Sequence, residues 1–374
     1  MGIEVLPVGC FAIQSRLAAD RVSASAFQKA AEKAAEVDFE EHWEASHCLE
    51  HVAITRGAFP EANERQLVGY LAYCRKNVRD RDVRTLMTLA AFCILESISY
   101  TRKDGQYLRW DHRSNRSRGE KAFDKGAILT FRQAIRDKLR QMSSDLQARS
   151  LLGKPRKRGT LDLRVGSCLD VLPTLPSDSV DFVLTSPPYC NRYDYTRTYA
   201  LELVFLGCDQ PRIRDLRQQM LSCTVENNEK VSLIRNAYEG RGRLKAWEIV
   251  DDAFRSQAAL QEVLQVLEDY RVLDKLNNPN IVKMVRNYFY EMAFVVYEMA
   301  RVMQPGGKAV IVNDNVRYAG EEVPADLILS SLAEQFGLTI RHIWTLPRGK
   351  GNSSQQMGNH GRTELRKCVY AWEK

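Results

Sequence analysis

The sequence predicts an α/β chain whose parallel-type sheet is interrupted by two large helical insertions. Three observations carry this reading. Leu161-Asp162-Leu163-Arg164-Val165 alternates like a strand and leads through Gly166-Ser167-Cys168 into a short helix signal at 169–175. The chain then returns through Pro176-Ser177-Asp178-Ser179 into the apolar run Val180-Asp181-Phe182-Val183-Leu184. That is a strand–helix–strand unit, the building block of a parallel sheet. Met303-Gln304-Pro305-Gly306-Gly307-Lys308 reads as a helix stop that drops into a buried β-branched strand, Ala309–Val312. Leu338–Trp344 and Lys367–Trp372 read as a closing pair of strands.

The remaining elements follow in order. Gly2–Gly9 reads as the end of a strand with an acid, Glu4, at its tip, and residues 8–21 as the helix after it. Residues 23–150 read as helical almost throughout. Phe27–Trp43 is rich in Ala, Lys and Glu, while Asn63–Asn77 and Asp82–Ser99 carry apolar residues three and four apart. Residues 205–279 form a second helical stretch, with charge pairs along Trp247–Leu276. One long helix spans 280–303. Its stripe of Val285, Tyr288, Phe289, Met292, Val295, Val296 and Met299 predicts a core face. The chain therefore divides into core at 1–22, a helical insertion with a basic arm at 23–155, core at 156–204, a second helical insertion at 205–279, and the rest of the core at 280–374.

Composition narrows the function classes. At 44% hydrophobic and 27% charged, the chain is an ordinary globular protein. No apolar run reaches the roughly 18–20 residues of a membrane span, and the N-terminus lacks the pattern of a signal peptide, so a cytoplasmic location is expected. The nine cysteines include no Cys-x-x-Cys pair and predict reduced, mostly buried thiols. His47, Cys48 and His51 cluster without zinc-ligand spacing, so no metal site is expected. The net charge of +7 suits a polyanionic partner. Residues 101–126 hold Arg102, Lys103, Arg109, Arg113, Arg116, Arg118, Lys121 and Lys125, interleaved with Tyr107 and Trp110. Lys154, Arg156, Lys157 and Arg158 follow. The readings are a solvated basic loop or an arm that contacts phosphates.

The sharpest signal is Thr185-Ser186-Pro187-Pro188-Tyr189, placed directly after the Val180–Leu184 run. Two prolines cannot continue a central strand, so the turn presents unpaired carbonyls and a tyrosine ring at a strand's carboxyl end. Ligands bind at that end of open α/β sheets. The competing reading is a strand-terminating loop with a packing tyrosine. The pentapeptide resembles the catalytic motif of S-adenosylmethionine-dependent DNA amino-methyltransferases. Those enzymes carry a Rossmann-like sheet and methylate the exocyclic nitrogen of cytosine or adenine. The Pro-Gly-Gly turn before Ala309 and the terminal strand pair resemble the same class.

The resemblance implies roles for particular residues. The carbonyl or Oγ of Ser186 and the carbonyl of Pro187 accept the amine hydrogens, and Pro188 stiffens the turn. Tyr189 stacks on a base flipped out of double-stranded DNA. Asn191, Tyr193, Asp194 and Arg197 line the pocket or hold the loop. Glu4 accepts the cofactor ribose, with Ser167, Cys168 and Thr185 beside it. Arg102, Lys103, Arg109 and Arg113 hold the duplex, and residues 205–279 recognise the target. Asn352, Ser353 and Gln355, in a polar loop at 348–362, contact base or backbone. Asn313-Asp314-Asn315 is a further polar cluster, either a strand cap or a base contact. A leading Ser in place of Asp or Asn is more typical of N4-cytosine than of N6-adenine enzymes.

The sequence departs from the family at two places. Nothing like its Asp-Pro-Phe-x-Gly-x-Gly cofactor motif occurs in the 374 residues, and Ser167-Cys168 stand where relatives tend to carry an acid. Gly240/Gly242 and Gly349/Gly351 lack the strand–turn–helix setting that gives such glycines meaning. A mis-called start, a truncated gene, or a split enzyme whose complementing subunit carries the glycine-rich motif would each explain the first departure. The competing functions are a DNA-binding subunit inactive without that partner, and an RNA or small-molecule methyltransferase.

Overall fold

The computed structural model describes residues 1–44, 48–105, 107–116, 122–151, 159–346 and 365–374. The chain divides into two compact units. One is Met1–Val165 with Tyr195–Arg217, the other Gly166–Asp194 with Gln218–Lys374.

The first unit comprises β1 (Gly2–Glu4), α1 (Pro7–Arg21), α2 (Ala24–Ala35), α3 (Glu61–Asn77), α4 (Arg81–Ile94), β2 (Thr101–Asp104), β3 (Tyr107–Trp110), α5 (Phe131–Leu151) and β4 (Leu163–Val165). β1 pairs in parallel with β4 as a two-stranded sheet, and Val180–Thr185 belongs to another sheet, so the strand–helix–strand unit expected at 161–184 is not joined in one sheet among the described residues. α4 shows why its residues form a helix. The Asp80 side chain caps it by accepting from the Val83 amide at 3.0 Å. Its apolar stripe of Val83, Leu86, Met87, Ala90, Ala91 and Ile94 is buried throughout. That stripe meets an aromatic core in which the Phe39, Tyr70 and Phe131 rings lie 5.1–5.9 Å apart.

One expectation fails here. Residues 23–150 are not helical throughout, because α2 stops at Ala35 and residues 101–110 form an antiparallel hairpin. The hairpin's reason is local. Thr101, Lys103, Leu108 and Trp110 share one face, with Thr101 and Leu108 buried, while Arg102, Asp104, Tyr107 and Arg109 are exposed. Gly105, at φ +58°, makes the turn. A period of two lay beneath the charge run.

Between the two stretches of the first unit the chain passes through α6 (Cys168–Val171) and β5 (Val180–Thr185), which belong to the second unit. It then returns for α7 (Tyr195–Thr198), α8 (Ala200–Phe205) and most of α9 (Gln210–Gln219). The second unit continues with α10 (Val231–Glu239), α11 (Leu244–Ser256), α12 (Ala258–Val272), α13 (Ile281–Val302), β6 (Met303–Asp314), β7 (Val316–Tyr318), β8 (Glu321–Val323), α14 (Ala325–Gln335), β9 (Thr339–Thr345) and β10 (Lys367–Glu373). Its main sheet runs β5-β6-β10-β9. β5 and β6 are parallel, and β10 is antiparallel to both β6 and β9.

α13 is apolar nearly all round, and the predicted core stripe is buried along its whole length. The same unit buries Ala309, Ile311, Asn313, Cys368, Tyr370 and Trp372, which share one face of the sheet. The Pro-Gly-Gly turn differs from its expectation in one respect. The helix ends at Val302, and Gln304–Gly307 lie inside β6 as a bulge, since Val180 pairs with Met303 but Phe182 with Lys308. A side chain at Gly307 would come within 2.8 Å of the Gln304 carbonyl and 3.2 Å of the Asp181 carbonyl, so the bulge requires glycine. Among the described residues no helix is long and apolar enough to cross a membrane.

Candidate active site

β5 delivers the chain into the loop Ser186–Asp194. Pro187 is buried, Pro188 and Tyr189 are half-buried, and Ser186 is exposed. The Tyr189 hydroxyl lies 3.2 Å from Ser186 Oγ, which closes the loop on itself. Burial pushes the Tyr189 phenol above its usual range, Ser186 opposing and Asp314 adding to the shift, so the ring is neutral.

Neighbouring side chains hold the rest of the loop through its carbonyls. Tyr318, at the end of β7, donates its hydroxyl to the Cys190 carbonyl at 2.5 Å. Cys223 Sγ donates to the Tyr193 carbonyl at 3.3 Å. Asn191 Oδ1 accepts from the Tyr193 amide at 3.1 Å, and Arg192, in the left-handed region at φ +65°, reaches Asn277 Oδ1 at 2.9 Å.

A second layer fixes Cys223. Asn227 Oδ1 accepts from the amides of Cys223 and Thr224. Glu291, from the middle of α13, accepts from Ser222 and from Lys230 Nζ, the latter at 2.8 Å, with both charged groups buried. Burial pushes the Glu291 carboxyl up while Lys230 and Ser222 oppose it. Sequence reasoning missed Tyr318, Cys223, Asn227, Ser222, Lys230 and Glu291. None stands in a motif, and only the folded chain brings them beneath the loop.

The structure groups the other expected residues unevenly. Thr185, Ser167 and Cys168 lie in the unit of the Pro-Pro-Tyr loop, as do Asn191, Tyr193 and Asp194. Glu4 and Arg197 lie in the other, so the candidate cofactor residues are divided between units. Glu4 Oε1 accepts from the Val5 and Leu6 amides at 2.8 Å each, at the start of α1. A Cβ at Gly9 would collide with the Glu4 carboxylate, so the glycine makes room for it. Ser167 is buried at the head of α6, and burial, reinforced by Glu291, pushes the Cys168 thiol up to about 12. The Cys190 thiol is buried and raised as well, chiefly by desolvation.

Asn313 gives its amide to the Tyr288 hydroxyl at 2.8 Å, and Asn315 gives its own to Glu322 at 3.0 Å. Both act as braces. Asp314 is half-buried, and desolvation raises its carboxyl.

The basic hairpin is less open than its sequence suggests. Lys103 Nζ pairs with the buried Glu202 carboxylate and lies over the Tyr199 ring at 4.7 Å. Arg113 grips the fully buried Asp111 through Nε at 2.7 Å and Nη2 at 2.9 Å, and Arg116 covers the Trp110 ring at 4.2 Å. Arg102 and Arg109 are exposed. Arg118, Lys121, Lys154, Arg156, Lys157, Arg158 and His47, with the loop residues Asn352, Ser353 and Gln355, lie outside the described residues.

No protein-family model matches the chain. Over its whole length the chain is 47% identical to the type II methyltransferase M.AvaI of Nostoc sp. strain PCC 7120, and equally to that of Anabaena variabilis. It is 38% identical to the type II methyltransferase M.BsoBI of Geobacillus stearothermophilus, and in each case the match spans 75% of the relative. Among solved structures, a Thermus thermophilus protein described as a DNA modification methylase overlaps 56% of this chain and 50% of its own. At 16% identity and a TM-score of 0.24 the overlap carries no weight for the fold. The full-length identities suffice, and the chain belongs to the type II methyltransferases, site-specific DNA methyltransferases of restriction–modification systems.

Proposed function

We propose that the chain transfers the methyl group of S-adenosylmethionine to the exocyclic amine of a base flipped out of double-stranded DNA, with N4-cytosine favoured over N6-adenine. The observation that carries this reading is the Ser186–Tyr189 loop at the carboxyl end of β5, stiffened by a buried proline and closed by the Tyr189–Ser186 contact. Neither proline brings a backbone donor, so the loop offers oxygens to an amine. The lone pair of such an amine is delocalised into the base. The Ser186 and Pro187 carbonyls accept its two hydrogens and draw the nitrogen toward tetrahedral geometry. A neutral Tyr189 ring offsets the stacking lost on flipping. Loops held this firmly position reactants, which is worth several kcal/mol of a barrier. A leading serine at 186 supports the N4-cytosine assignment.

The described strands are read as parts of a Rossmann-like methyltransferase sheet. S-Adenosylmethionine supplies the electrophilic methyl when bound, and the residues present fit it in part. Glu4 offers a carboxylate at a strand tip of the first unit, and Ser167, Cys168 and Thr185, in the second, are assigned to the cofactor. These residues supply no glycine-rich turn after a strand, so that part of the pocket is assigned to a complementing polypeptide. This favours a second reading in which the isolated chain binds DNA and is inactive until complemented. Phosphate contact is assigned to Arg102 and Arg109 ahead of Lys103 and Arg113, which hold internal carboxylates. Target recognition is assigned to 205–279, and Asn191, Tyr193, Asp194 and Arg197 to the pocket.

The test is transfer of labelled methyl to mixed-sequence DNA. The chain is assayed alone and with the part of M.AvaI that the match leaves out. Label that requires the added polypeptide and falls at least a hundredfold in Tyr189→Ala supports the proposal. Label on cytosine N4 against adenine N6 decides the base. Transfer to RNA but not to DNA would sink it.

A further inference from the structure

Among the described residues, the turn between α12 and α13 carries the only two consecutive large apolar side chains that stand open to solvent. Val272 is 71% exposed and Leu273 61%. Single exposed apolar residues are ordinary, but this pair sits on a firmly built tip. The Lys275 amide donates to the Tyr270 carbonyl at 2.8 Å, and Asp274, at φ +52°, takes the left-handed position that ends a helix sharply. Lys275 Nζ lies 5.2 Å from the centre of the Tyr270 ring, and Leu276 is buried behind the tip.

The tip stands at the active end of the sheet. α13 runs back along β5 and β6. At one end the Ser179 amide donates to the Val302 carbonyl at 2.7 Å, where β5 begins. Toward the other, Tyr288 meets Asn313, near the end of β6, at 2.8 Å. The chain just before α13 therefore lies beyond the carboxyl ends of both strands, where Ser186–Tyr189 also lie. Arg192 Nη1 donates to Asn277 Oδ1 at 2.9 Å, which ties the turn to the loop itself.

We infer that Val272 and Leu273 are the wedge that enters the duplex when the target base leaves it. A flipped base opens a gap in the stack, and the bases around that gap lose their stacking contacts. Apolar side chains inserted between base steps hold such distortions open. The tip has the chemistry for this place. Two apolar side chains match the faces of bases and have nothing to offer a phosphate. A rigid turn inserts them without first having to be ordered. The link from Asn277 to Arg192 sets the tip beside the loop whose Tyr189 receives the base. Val272 and Leu273 are positioning residues, since they touch neither the amine nor the cofactor. The inference deepens the proposed function and rests on it for the flipped base. Within 205–279 it separates residues that extrude the base from those that read the sequence.

The experiment uses the methyl-transfer assay above, with the full chain alone or with the added polypeptide, whichever supports transfer. The labelled site is located by sequencing and built into two synthetic duplexes. In one the target base is paired. In the other it faces an abasic position, so that it leaves the stack without a partner to give up. The native chain is compared with Val272→Ser/Leu273→Ser, with Leu273→Met, which keeps an apolar wedge, and with Leu233→Ser, an equally exposed leucine on α10 (68%). The double variant should lose roughly tenfold or more in transfer to the paired duplex and less than about twofold on the abasic one. Leu273→Met and Leu233→Ser should act as the native chain does on both, and all variants should melt alike. Equal loss on the two duplexes overturns the inference, because the tip then serves binding or folding in general. Undiminished transfer to the paired duplex also overturns it. A double variant that changes the sedimentation of the DNA-free chain assigns the tip to a second copy and overturns it too. Each of these leaves the proposed function standing. Absence of transfer to any DNA by the native chain under both conditions fails the proposed function and the wedge with it.

Discussion

The hairpin at 101–110, with the turn to Arg113, and the loop at 186–194 are both polar segments that the sequence marks for function, yet different forces hold them. Charge holds the hairpin. Lys103 is paired with Glu202, Arg113 grips Asp111, and Lys125 gives its ammonium to the Ser99 carbonyl at 2.8 Å. Neutral groups hold most of the loop: two prolines, the Tyr189–Ser186 contact, and the Tyr318 and Cys223 side chains on its carbonyls. The nearest buried ion pair, Lys230–Glu291, sits one layer below. The lesson concerns what each segment has left to offer. A basic run that folds spends part of its charge on its own carboxylates. In the loop the Cys190 and Tyr193 carbonyls are already engaged, while the proposed amine contacts fall at Ser186 and Pro187.

The comparison can be broken at several points, the largest effect coming first. Glu291→Ala leaves the buried Lys230 ammonium uncompensated and is expected to cost about 3–5 kcal/mol, measured by urea unfolding. Replacing both partners with methionine should recover most of that loss. If Glu291→Ala unfolds like the native chain, the pair is no foundation for the loop.

The pH response should separate the segments. Hydrogen bonds from Arg113, with help from the Lys125 and Arg113 amides, hold the Asp111 carboxyl well below the usual carboxylate range. A depressed acid contributes stability above its ordinary pKa of about 4, and that contribution is lost as pH falls through this value toward the folded pKa. Amide exchange in the hairpin is therefore expected to speed up relative to the loop below about pH 4, and Asp111→Asn should remove the difference. The Tyr189 and Tyr318 phenols are shifted upward by burial, so the loop should show no titration of its own between about pH 5 and 9. Equal acid sensitivity in both segments would end the distinction.

Tyr318→Phe removes one neutral hydrogen bond, worth about 1 kcal/mol. Methyl transfer should slow up to roughly tenfold in kcat with little change in KM for DNA, and amides 189–193 should exchange faster. An unchanged kcat would reduce Tyr318 to packing. The smallest effect is expected at Arg109→Ala. Stability should stay within about 0.5 kcal/mol, while the salt dependence of DNA binding loses about one unit of slope. Binding with an unchanged slope would remove Arg109 from the duplex contacts.

Local pattern made much of this legible. Pro187 and Pro188 mark the end of β5 in any context, because neither can extend a strand. The stripe on α13 shows at three- and four-residue spacing. The alternation in 101–110 was present but lay under a run of charge, and the charge was read first. Family likeness in the motifs also read correctly, as the identity to the type II methyltransferases bears out.

By itself the sequence determined the order of strands and helices through residues 161–185, 280–312, 338–345 and 367–372, the rigid turn at Ser186–Tyr189, and the family. These rest on backbone constraint and periodicity, which act over a few residues. Only the tertiary structure decided what lies behind the loop, which arginines and lysines are already paired, and which face of the sheet is sealed. Tyr318 is 128 positions from Cys190 in the chain, and Glu291 is 61 from Lys230. Pairings at that separation leave no local pattern. They form because buried carbonyls and charges must find partners once the chain has closed around them.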